Sequence, residues 1–286
     1  DLILGFLHLK SKKSHKSRKS QQGDLKEWSE KVVGVIKNPK KSCRIAVVGK
    51  YITLQDAYKS IYEALIHGGI ANDSRVEVVK IDSEDVRPQA ASSLFRGVDG
   101  ILVPGGFGYR GIEGKILAIE FARNEKIPYF GICLGMQTAV MEFARNVCGL
   151  KGANSTEFNR RTAHPVISLL DEQKHINAKG ATMRLGAYPA RLIAGTHAHA
   201  AYKKGIIWER HRHRYEFNKA YKDILQKRGM KISGISPNGL LVEIVELKDH
   251  PWFVAVQFHP EFKSKPDRAH PLFRDFIGAS YKRKAG

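Results

Sequence analysis

Residues 129–137 read YFGICLGMQ, and this stretch decides the fold class. Its first half is a short run of aromatic and β-branched residues, which is typical of a buried strand. Its second half begins a segment with apolar residues at helical spacing, namely Val140, Phe143 and Val147. We therefore predict a strand that ends at Ile132, followed at once by a helix that runs to about Val147. Such a strand-to-helix unit is the building block of a parallel α/β sheet.

The same alternation recurs upstream of this stretch. Apolar runs predict four strands, at 44–49, 76–81, 100–103 and 127–132, and the intervening patterns predict helices at 56–68 and 113–126. Farther on, 155–200 suggests antiparallel strands, and 240–246 and 252–258 are strand-like. The predicted fold is α/β: a doubly wound, mostly parallel central sheet of flavodoxin-like type, with helices on both faces and a small antiparallel excursion.

Cys133 lies in the turn between the predicted strand and helix, within a Gly-x-Cys-x-Gly pattern. With serine in place of cysteine, this arrangement is the nucleophile elbow of hydrolases. Glycines flank the strained turn because side chains there would clash, and the helix N-terminus favours a thiolate. A backbone N–H just past the nucleophile also stabilises an oxyanion. On this motif alone, a buried structural cysteine on a tight turn is an equally open interpretation.

A second signal is QFHPE, residues 257–261, after an apolar strand. His259 and Glu261 are two positions apart, and on an extended backbone such residues point the same way. Glu261 would then hold the His259 imidazole in the tautomer that accepts a proton from sulfur. A histidine and a glutamate are weak evidence alone, but with Cys133 they complete a nucleophile, a base and an orienting group.

Residues 102–111 read LVPGGFGYRG, which imitates the Gly-x-Gly-x-x-Gly fingerprint of dinucleotide sites. A dinucleotide site uses an acidic residue at a strand end about twenty positions on, whereas Glu125 falls near the end of a helix. The following GIEGK, residues 111–115, is not a P-loop because no Ser or Thr follows Lys115. We interpret the glycines as a turn whose N–H groups face Cys133 and add a second oxyanion donor.

Composition is that of a globular protein, with 286 residues and 42% hydrophobic content, and no apolar run approaches the roughly 18 residues of a membrane span. The net charge is +20. Part of the excess positive charge lies in residues 10–22, KSKKSHKSRKSQQ, which we predict to be disordered. A solvated linker and a nucleic-acid or membrane-surface arm both fit it, although the lack of aromatic residues weakens the nucleic-acid interpretation. Residues 24–37 predict an amphipathic helix with Asp24 as N-cap.

The three cysteines, Cys43, Cys133 and Cys148, are too few for a disulfide framework, so a reducing, cytoplasmic location is expected. Two histidine pairs, at 197 and 199 and at 211 and 213, lack acidic neighbours at a known zinc spacing. We therefore expect no metal site.

Taken together, the three motifs resemble the class I glutamine amidotransferase family, which carries a Cys-His-Glu triad on an α/β sheet. The resemblance covers about 43–282. It implies that Cys133, His259 and Glu261 are catalytic, and that Cys133 forms a γ-glutamyl thioester with L-glutamine and releases glutamate and ammonia. It also implies an oxyanion hole and a glutamine pocket, formed by the N–H groups of Gly106 and Leu134 with Gln137, Glu157 and Arg214.

Two further blocks, NSTEF at 154–158 and ERHRHRYE at 209–216, resemble the subgroup in which this domain follows a synthase domain. That likeness implies an interdomain linker at 1–42, an amidotransferase domain at 43–286 and an N-terminal synthase domain absent from this chain. The ammonia would then convert UTP to CTP with ATP and Mg²⁺, in a cytoplasmic homotetramer. It implies no cofactor in this domain and GTP as an allosteric activator near Phe107, Arg110 and Glu113.

Two other interpretations stay open from the sequence. The domain could be a non-catalytic module for assembly or for binding an acidic partner, with nucleic acid disfavoured as that partner. It could also be a related γ-glutamyl cysteine hydrolase. The complete triad argues against the first, and Glu157 and Arg214 in their motifs favour free glutamine over the second.

Overall fold

A computed structural model describes residues 25–169 and 183–285. The predicted disordered stretch at 10–22 and the proposed N-cap, Asp24, lie outside the described residues. Within these two ranges, no helix combines the length and the apolar character that a bilayer-spanning segment requires.

The described strands form a nine-stranded sheet and a small three-stranded one. The large sheet has the order β2-β1-β3-β4-β12-β11-β10-β7-β8, and the small one the order β5-β6-β9. The strands are β1 (Lys41–Gly49), β2 (Ser74–Asp82), β3 (Gly100–Val103), β4 (Tyr129–Ile132), β5 (Asn154–Ser155), β6 (Pro165–Ser168), β7 (Arg184–Leu192), β8 (Ile206–His213), β9 (Glu216–Phe217), β10 (Met230–Ile235), β11 (Val242–Leu247) and β12 (Phe253–Val256).

The described helices precede, connect and follow these strands. After α1 (25–37) they are α2 (Lys59–Ile70), α3 (Ala91–Leu94), α4 (Ile112–Asn124), α5 (Leu134–Asn146), α6 (His197–Tyr202), α7 (Lys222–Lys227) and α8 (Pro271–Ala285). Short 3₁₀ turns cover Gln55–Tyr58, Lys219–Tyr221 and Pro260–Lys263. The first of these turns occupies the start of the helix predicted at 56–68, so α2 begins later than predicted.

The parallel half of the sheet confirms the predicted fold class. Strands β2, β1, β3, β4 and β12 pair in parallel, in the order expected of a flavodoxin-like sheet. The antiparallel part is larger than the predicted small excursion. It continues the same sheet through β11, β10, β7 and β8, in four antiparallel pairings.

The central strands are buried on both faces because helices cover each side. Side chains alternate along β1, with Ala46 and Val48 in one apolar cluster and Ile45 and Val47 in the other. Helices α4 and α5 supply the first cluster. Helices α2, α6 and α8 supply the second.

Helix α1 differs from a regular amphipathic helix because its middle, Ser29–Gly34, is π-helical. Of the four apolar residues at helical spacing, Leu25, Trp28, Val32 and Val35, only Val32 is buried. Leu25 and Trp28 remain 71% and 42% exposed. The helix is present where the sequence predicts it, but its stripe is only partly covered by the described residues.

Gly135, the second residue of α5, gives a test of the tight packing between this helix and the sheet. A Cβ at this position would collide with the carbonyl oxygen of Val103, which is backbone and cannot swing away. We expect Gly135→Ala to cost about 2–4 kcal/mol of unfolding free energy and to lower the Tm by roughly 5–10 °C. Thermal unfolding followed by circular dichroism would measure this change.

Gly205→Ala is the matched control, because a Cβ there would have no heavy atom within 4 Å. We expect its Tm to stay within about 2 °C of the unmodified chain. Equal losses in the two variants would show that the close approach of α5 to β3 is not what makes Gly135 necessary.

Candidate active site

Cys133 occupies the turn between β4 and α5, at the N-cap of the helix. Its backbone has φ 52° and ψ −101°, a conformation that residues with a side chain rarely adopt. The turn is held from both sides: the Cys133 N–H donates to Val256 O at 2.7 Å, and the Met136 N–H donates to Cys133 O. The strained elbow predicted from the sequence is therefore present, and it places the sulfur over a helix N-terminus.

The carboxyl ends of β3, β4 and β12 bring the three predicted motifs together. These strands are parallel neighbours, so the residues that follow them meet at one edge of the sheet. A Cβ on Gly105 would lie 2.9 Å from His259 Cε1 and 3.5 Å from Cys133 Cβ. The base and the nucleophile thus face the same glycine, and only a residue without a side chain fits between them.

His259 and Glu261 form the pair that the sequence predicts. His259 Nδ1 lies 2.7 Å from Glu261 Oε1, and the side chains are 14% and 6% exposed. Burial by itself lowers the pKa of His259, but the negative charge of Cys133 and the Glu261 carboxylate outweigh it and raise the pKa to about 10. The arrangement stabilises an imidazolium beside a sulfur anion.

The glycine-rich loop, residues 104–111, lies against the N-terminus of α5. A Cβ on Gly106 would be 3.4 Å from Leu134 Cδ2, so the Leu134 side chain packs against the backbone of Gly106. The loop is anchored at two points: Lys50 Nζ donates to Phe107 O, and the Gly108 N–H donates to Glu157 Oε1 at 3.0 Å. Its backbone is thereby fixed next to Cys133.

The predicted glutamine-binding residues lie around this edge. Glu157 is half-buried, and burial raises its pKa, opposed by the Gly108 N–H, Lys50 and Arg214. Arg214 is also half-buried, and its Nε has no acceptor among the described residues. The buried Gln137 donates to Tyr215 O at 3.1 Å and to Gln257 Oε1 at 3.4 Å. Gln137 is linked to the sulfur through Gln257, which contacts Cys133 Sγ, whereas Glu157 contacts the glycine-rich loop at Gly108.

The three residues predicted to bind GTP each contact a different part of the protein. Arg110 pairs with Glu84 and donates to Lys50 O, while Glu113 pairs with Arg145 at 2.8 Å. Phe107 is 49% exposed. Arg212 lies over its ring.

Gln257 is a contact of the nucleophile to which the sequence analysis gave no role. Its Nε2 lies 3.8 Å from Cys133 Sγ, and its side chain is fully buried. The spacing could have indicated this contact. Gln257 is two positions before His259, so on an extended backbone its side chain points to the same side as those of His259 and Glu261. Lys50 and Lys115 also flank the glycine-rich loop. The sequence assigns neither lysine a role, because GIEGK, which ends in Lys115, lacks the Ser or Thr of a P-loop.

The histidine pair at 211 and 213 lies in structural surroundings. His211 and His213 are buried and share a hydrogen bond of 2.9 Å, and burial lowers their pKa values to about 2 and about 3. Arg184 forms ion pairs with Glu216 and Glu243, the two carboxylates that lie beside these histidines. In 25–169 and 183–285, no group of three or more His, Cys, Asp or Glu side chains has the arrangement of a metal site.

A cavity of about 790 Å³ lies away from the triad, at the amino ends of the same strands. Its lining includes Lys126, Trp252 and Arg274. Because none of the triad residues borders it, we assign the chemistry to the edge that carries Cys133.

Comparison with known proteins agrees with this geometry. Residues 53–279 match the family model described as glutamine amidotransferase class-I. A CTP synthase from Carboxydothermus hydrogenoformans is 61% identical over 259 residues, covering 91% of this chain and 48% of the relative. A CTP synthase from Caldanaerobacter subterraneus subsp. tengcongensis is 59% identical over 258 residues, covering 90% and 48%. The chain thus spans about half the length of these curated relatives.

A solved structure is similar over nearly its whole length. The glutaminase domain of Trypanosoma brucei CTPS with bound acivicin superposes with a TM-score of 0.79 at 43% identity. The match covers 84% of this chain and 94% of that one.

Proposed function

The chain belongs to the class I glutamine amidotransferase family, and from that premise we propose that it hydrolyses L-glutamine to glutamate and ammonia. The observation that carries the proposal is the placement of Cys133 and the His259–Glu261 pair against the same glycine, Gly105. Nucleophile, base and orienting carboxylate then occupy one buried edge of the sheet.

In the first step, His259 takes the proton of the Cys133 thiol, and Glu261 holds the resulting imidazolium. The sulfur attacks the side-chain amide carbon of glutamine. When the tetrahedral intermediate collapses, the C–N bond breaks, the leaving nitrogen takes the proton from His259, and ammonia departs. A γ-glutamyl thioester remains on Cys133.

In the second step, a water molecule gives its proton to His259 and attacks the thioester carbon. The C–S bond breaks, glutamate leaves and the thiol is restored. The N–H groups of Gly106 and Leu134 stabilise the oxyanion in both steps. A fixed backbone donor of this kind contributes about 10²- to 10³-fold to the rate.

Glutamine is recognised through its charged α-groups. Glu157 binds the ammonium, and Gln137 adds a hydrogen bond. Arg214, whose Nε has no acceptor in the described part of the chain, binds the carboxylate, because a guanidinium matches that group in bidentate fashion.

The whole protein would use the released ammonia. The identities of 61% and 59% to CTP synthases support a role as the glutaminase part of such an enzyme, joined to an N-terminal synthase domain that aminates UTP to CTP with ATP and Mg²⁺. We further propose a cytoplasmic homotetramer and activation by GTP near Phe107, Arg110 and Glu113. The interdomain linker is assigned to 1–42 and the amidotransferase domain to 43–286.

Glutamate release by the purified chain tests the proposed reaction. Glutamine should be hydrolysed, while asparagine and a γ-glutamyl dipeptide should be turned over at least about tenfold more slowly. Faster turnover of the dipeptide would favour the γ-glutamyl hydrolase instead.

Glu157→Gln tests the recognition of the ammonium. It removes the negative charge but keeps an acceptor for the Gly108 N–H, so the loop contact survives. We expect KM for glutamine to rise about tenfold or more with kcat reduced less, because a charge-assisted hydrogen bond contributes about 1.5–3 kcal/mol. Steady-state glutamate release at varied glutamine measures both constants.

Glu77→Gln is the control for this variant, since Glu77 is an exposed carboxylate on β2, paired with Arg44. An unchanged KM in Glu157→Gln would show that Glu157 does not bind the ammonium group of glutamine. A tenfold rise in Glu77→Gln as well would show that net charge, not the Glu157 contact, is responsible.

A further inference from the structure

Lys115 is a buried lysine for which the proposed mechanism has no use. It lies in the first turn of α4, its side chain is 0% exposed, and its Nζ has no hydrogen-bond acceptor among the described residues. A buried amine without an acceptor destabilises a folded protein. An apolar side chain of similar length would fit the site without that penalty.

The amine lies against Gly106, whose N–H is one of the two proposed oxyanion donors. A Cβ on Gly106 would be 3.7 Å from Lys115 Nζ and 3.8 Å from Lys50 Cε. The same Cβ position is 3.4 Å from the side chain of Leu134. The backbone N–H of Leu134 is the other proposed oxyanion donor. Lys115 Nζ therefore packs against the glycine-rich loop on the side away from solvent.

Four neighbouring groups influence the charge of Lys115. Lys50 after β1 and Arg110 in the glycine-rich loop repel its ammonium form, whereas Asp82 at the end of β2 and the sulfur of Cys133 attract it. Burial is the largest influence, and it lowers the pKa of Lys115 to about 7. At neutral pH its charge therefore responds to the charge on neighbouring groups.

We propose that Lys115 is a positioning residue for acyl transfer. Its buried ammonium, held against Gly106 with no acceptor among the described residues, stabilises the negative charge that forms on the Cys133 sulfur and in the oxyanion site. This inference rests on the proposed glutaminase function and adds a residue to its machinery. Lys115 neither gives nor takes a proton in the steps above; the thiol proton still passes to His259. The low dielectric of the site strengthens the attraction, and the Gly106 and Leu134 N–H groups remain the direct donors.

Lys115→Met tests the proposal in the 286-residue chain with 6-diazo-5-oxo-norleucine, a glutamine analogue that alkylates the reacting sulfur. The inactivation rate kinact and the half-saturating concentration KI separate chemistry from binding. We expect kinact at pH 6 to fall about ten- to thirtyfold, with KI changed less than about threefold. Because the amine loses its charge above pH 7, the ratio of kinact between the two chains should approach one at pH 9.

The melting temperature is an independent readout, and it should not fall with kinact. Since methionine removes a buried polar group that has no acceptor in the described part of the chain, Lys115→Met should keep or raise the Tm. A merely structural lysine would lower both Tm and kinact. Lys222→Met, at an exposed first turn of α7, is the control and should change neither. Lys115→Gln repeats the test if the methionine variant does not fold.

The possible outcomes separate the two proposals. A pH-dependent loss of kinact at unchanged or higher Tm supports the role of Lys115. Equal kinact in the two chains, or a loss that is the same at pH 6 and pH 9, overturns it and leaves the glutaminase proposal intact. Failure of the unmodified chain to be labelled on Cys133 contradicts the glutaminase proposal itself.

Discussion

Cys133→Ala is expected to reduce glutamine hydrolysis by at least about 10⁴-fold, because the proposed mechanism forms the thioester on the Cys133 sulfur. The substitution removes one atom from a buried position, and alanine fits where cysteine did. Cys133→Ala should therefore fold, bind glutamine and release no glutamate. The measurement is glutamate production over hours, with circular dichroism to establish the fold.

The other cysteines supply the matched controls. Cys43 is fully buried, and burial raises the pKa of its thiol to about 11, while burial also raises the pKa of the half-buried Cys148. Both thiols therefore stay protonated at neutral pH and are poor nucleophiles. Cys43→Ala and Cys148→Ala should keep activity within about twofold. Residual hydrolysis in Cys133→Ala, lost on replacing Cys148, would contradict the assignment.

His259→Ala should reduce hydrolysis by about 10³- to 10⁴-fold, since it removes the base and the acid for the leaving ammonia. Glu261→Gln should have a smaller effect, about 10- to 100-fold, because the imidazole stays but loses its anionic partner. Alkylation of Cys133 by iodoacetamide should slow in both variants. Equal alkylation rates in the unmodified chain and His259→Ala would show that His259 does not activate the sulfur.

The raised pKa of His259 also predicts a dependence of stability on pH. An unfolded histidine has a pKa of about 6.5, whereas the folded value is about 10. The ionic contacts of His259 therefore contribute their full stability below pH 6.5, and this contribution is lost as the pH rises through 10. The difference in unfolding free energy between the unmodified chain and His259→Ala should shrink from pH 6.5 to pH 10. A difference that stays constant over this window would contradict the imidazolium assignment.

The parallel half of the fold and the meeting of Cys133, His259 and Glu261 at one sheet edge could be predicted because their signals are local. A strand that ends at Ile132 and a helix that begins at Leu134 leave Cys133 in the turn, and the glycines on either side report its close contacts. The spacing of His259 and Glu261 is likewise readable on an extended backbone. The structure brings these residues together at one sheet edge.

The antiparallel half could not be predicted in detail because its pairings join distant segments. Strand β10 contacts β7 and β11 through hydrogen bonds whose register depends on the whole sheet, with a bulge near Gly234. The burial of Lys115 could not be predicted for a different reason. A lysine at a helix start is ordinarily solvated, and only the packing of α4 against the glycine-rich loop buries it.

The most direct test of the central claim is mass spectrometry of the intact chain and its peptides after incubation with 6-diazo-5-oxo-norleucine. The account predicts one adduct, located on Cys133 and prevented by excess glutamine, with no modification of Cys43 or Cys148. Labelling distributed over the three cysteines, or an adduct on Cys133 that glutamine does not prevent, would contradict a glutamine-binding site with Cys133 as its nucleophile.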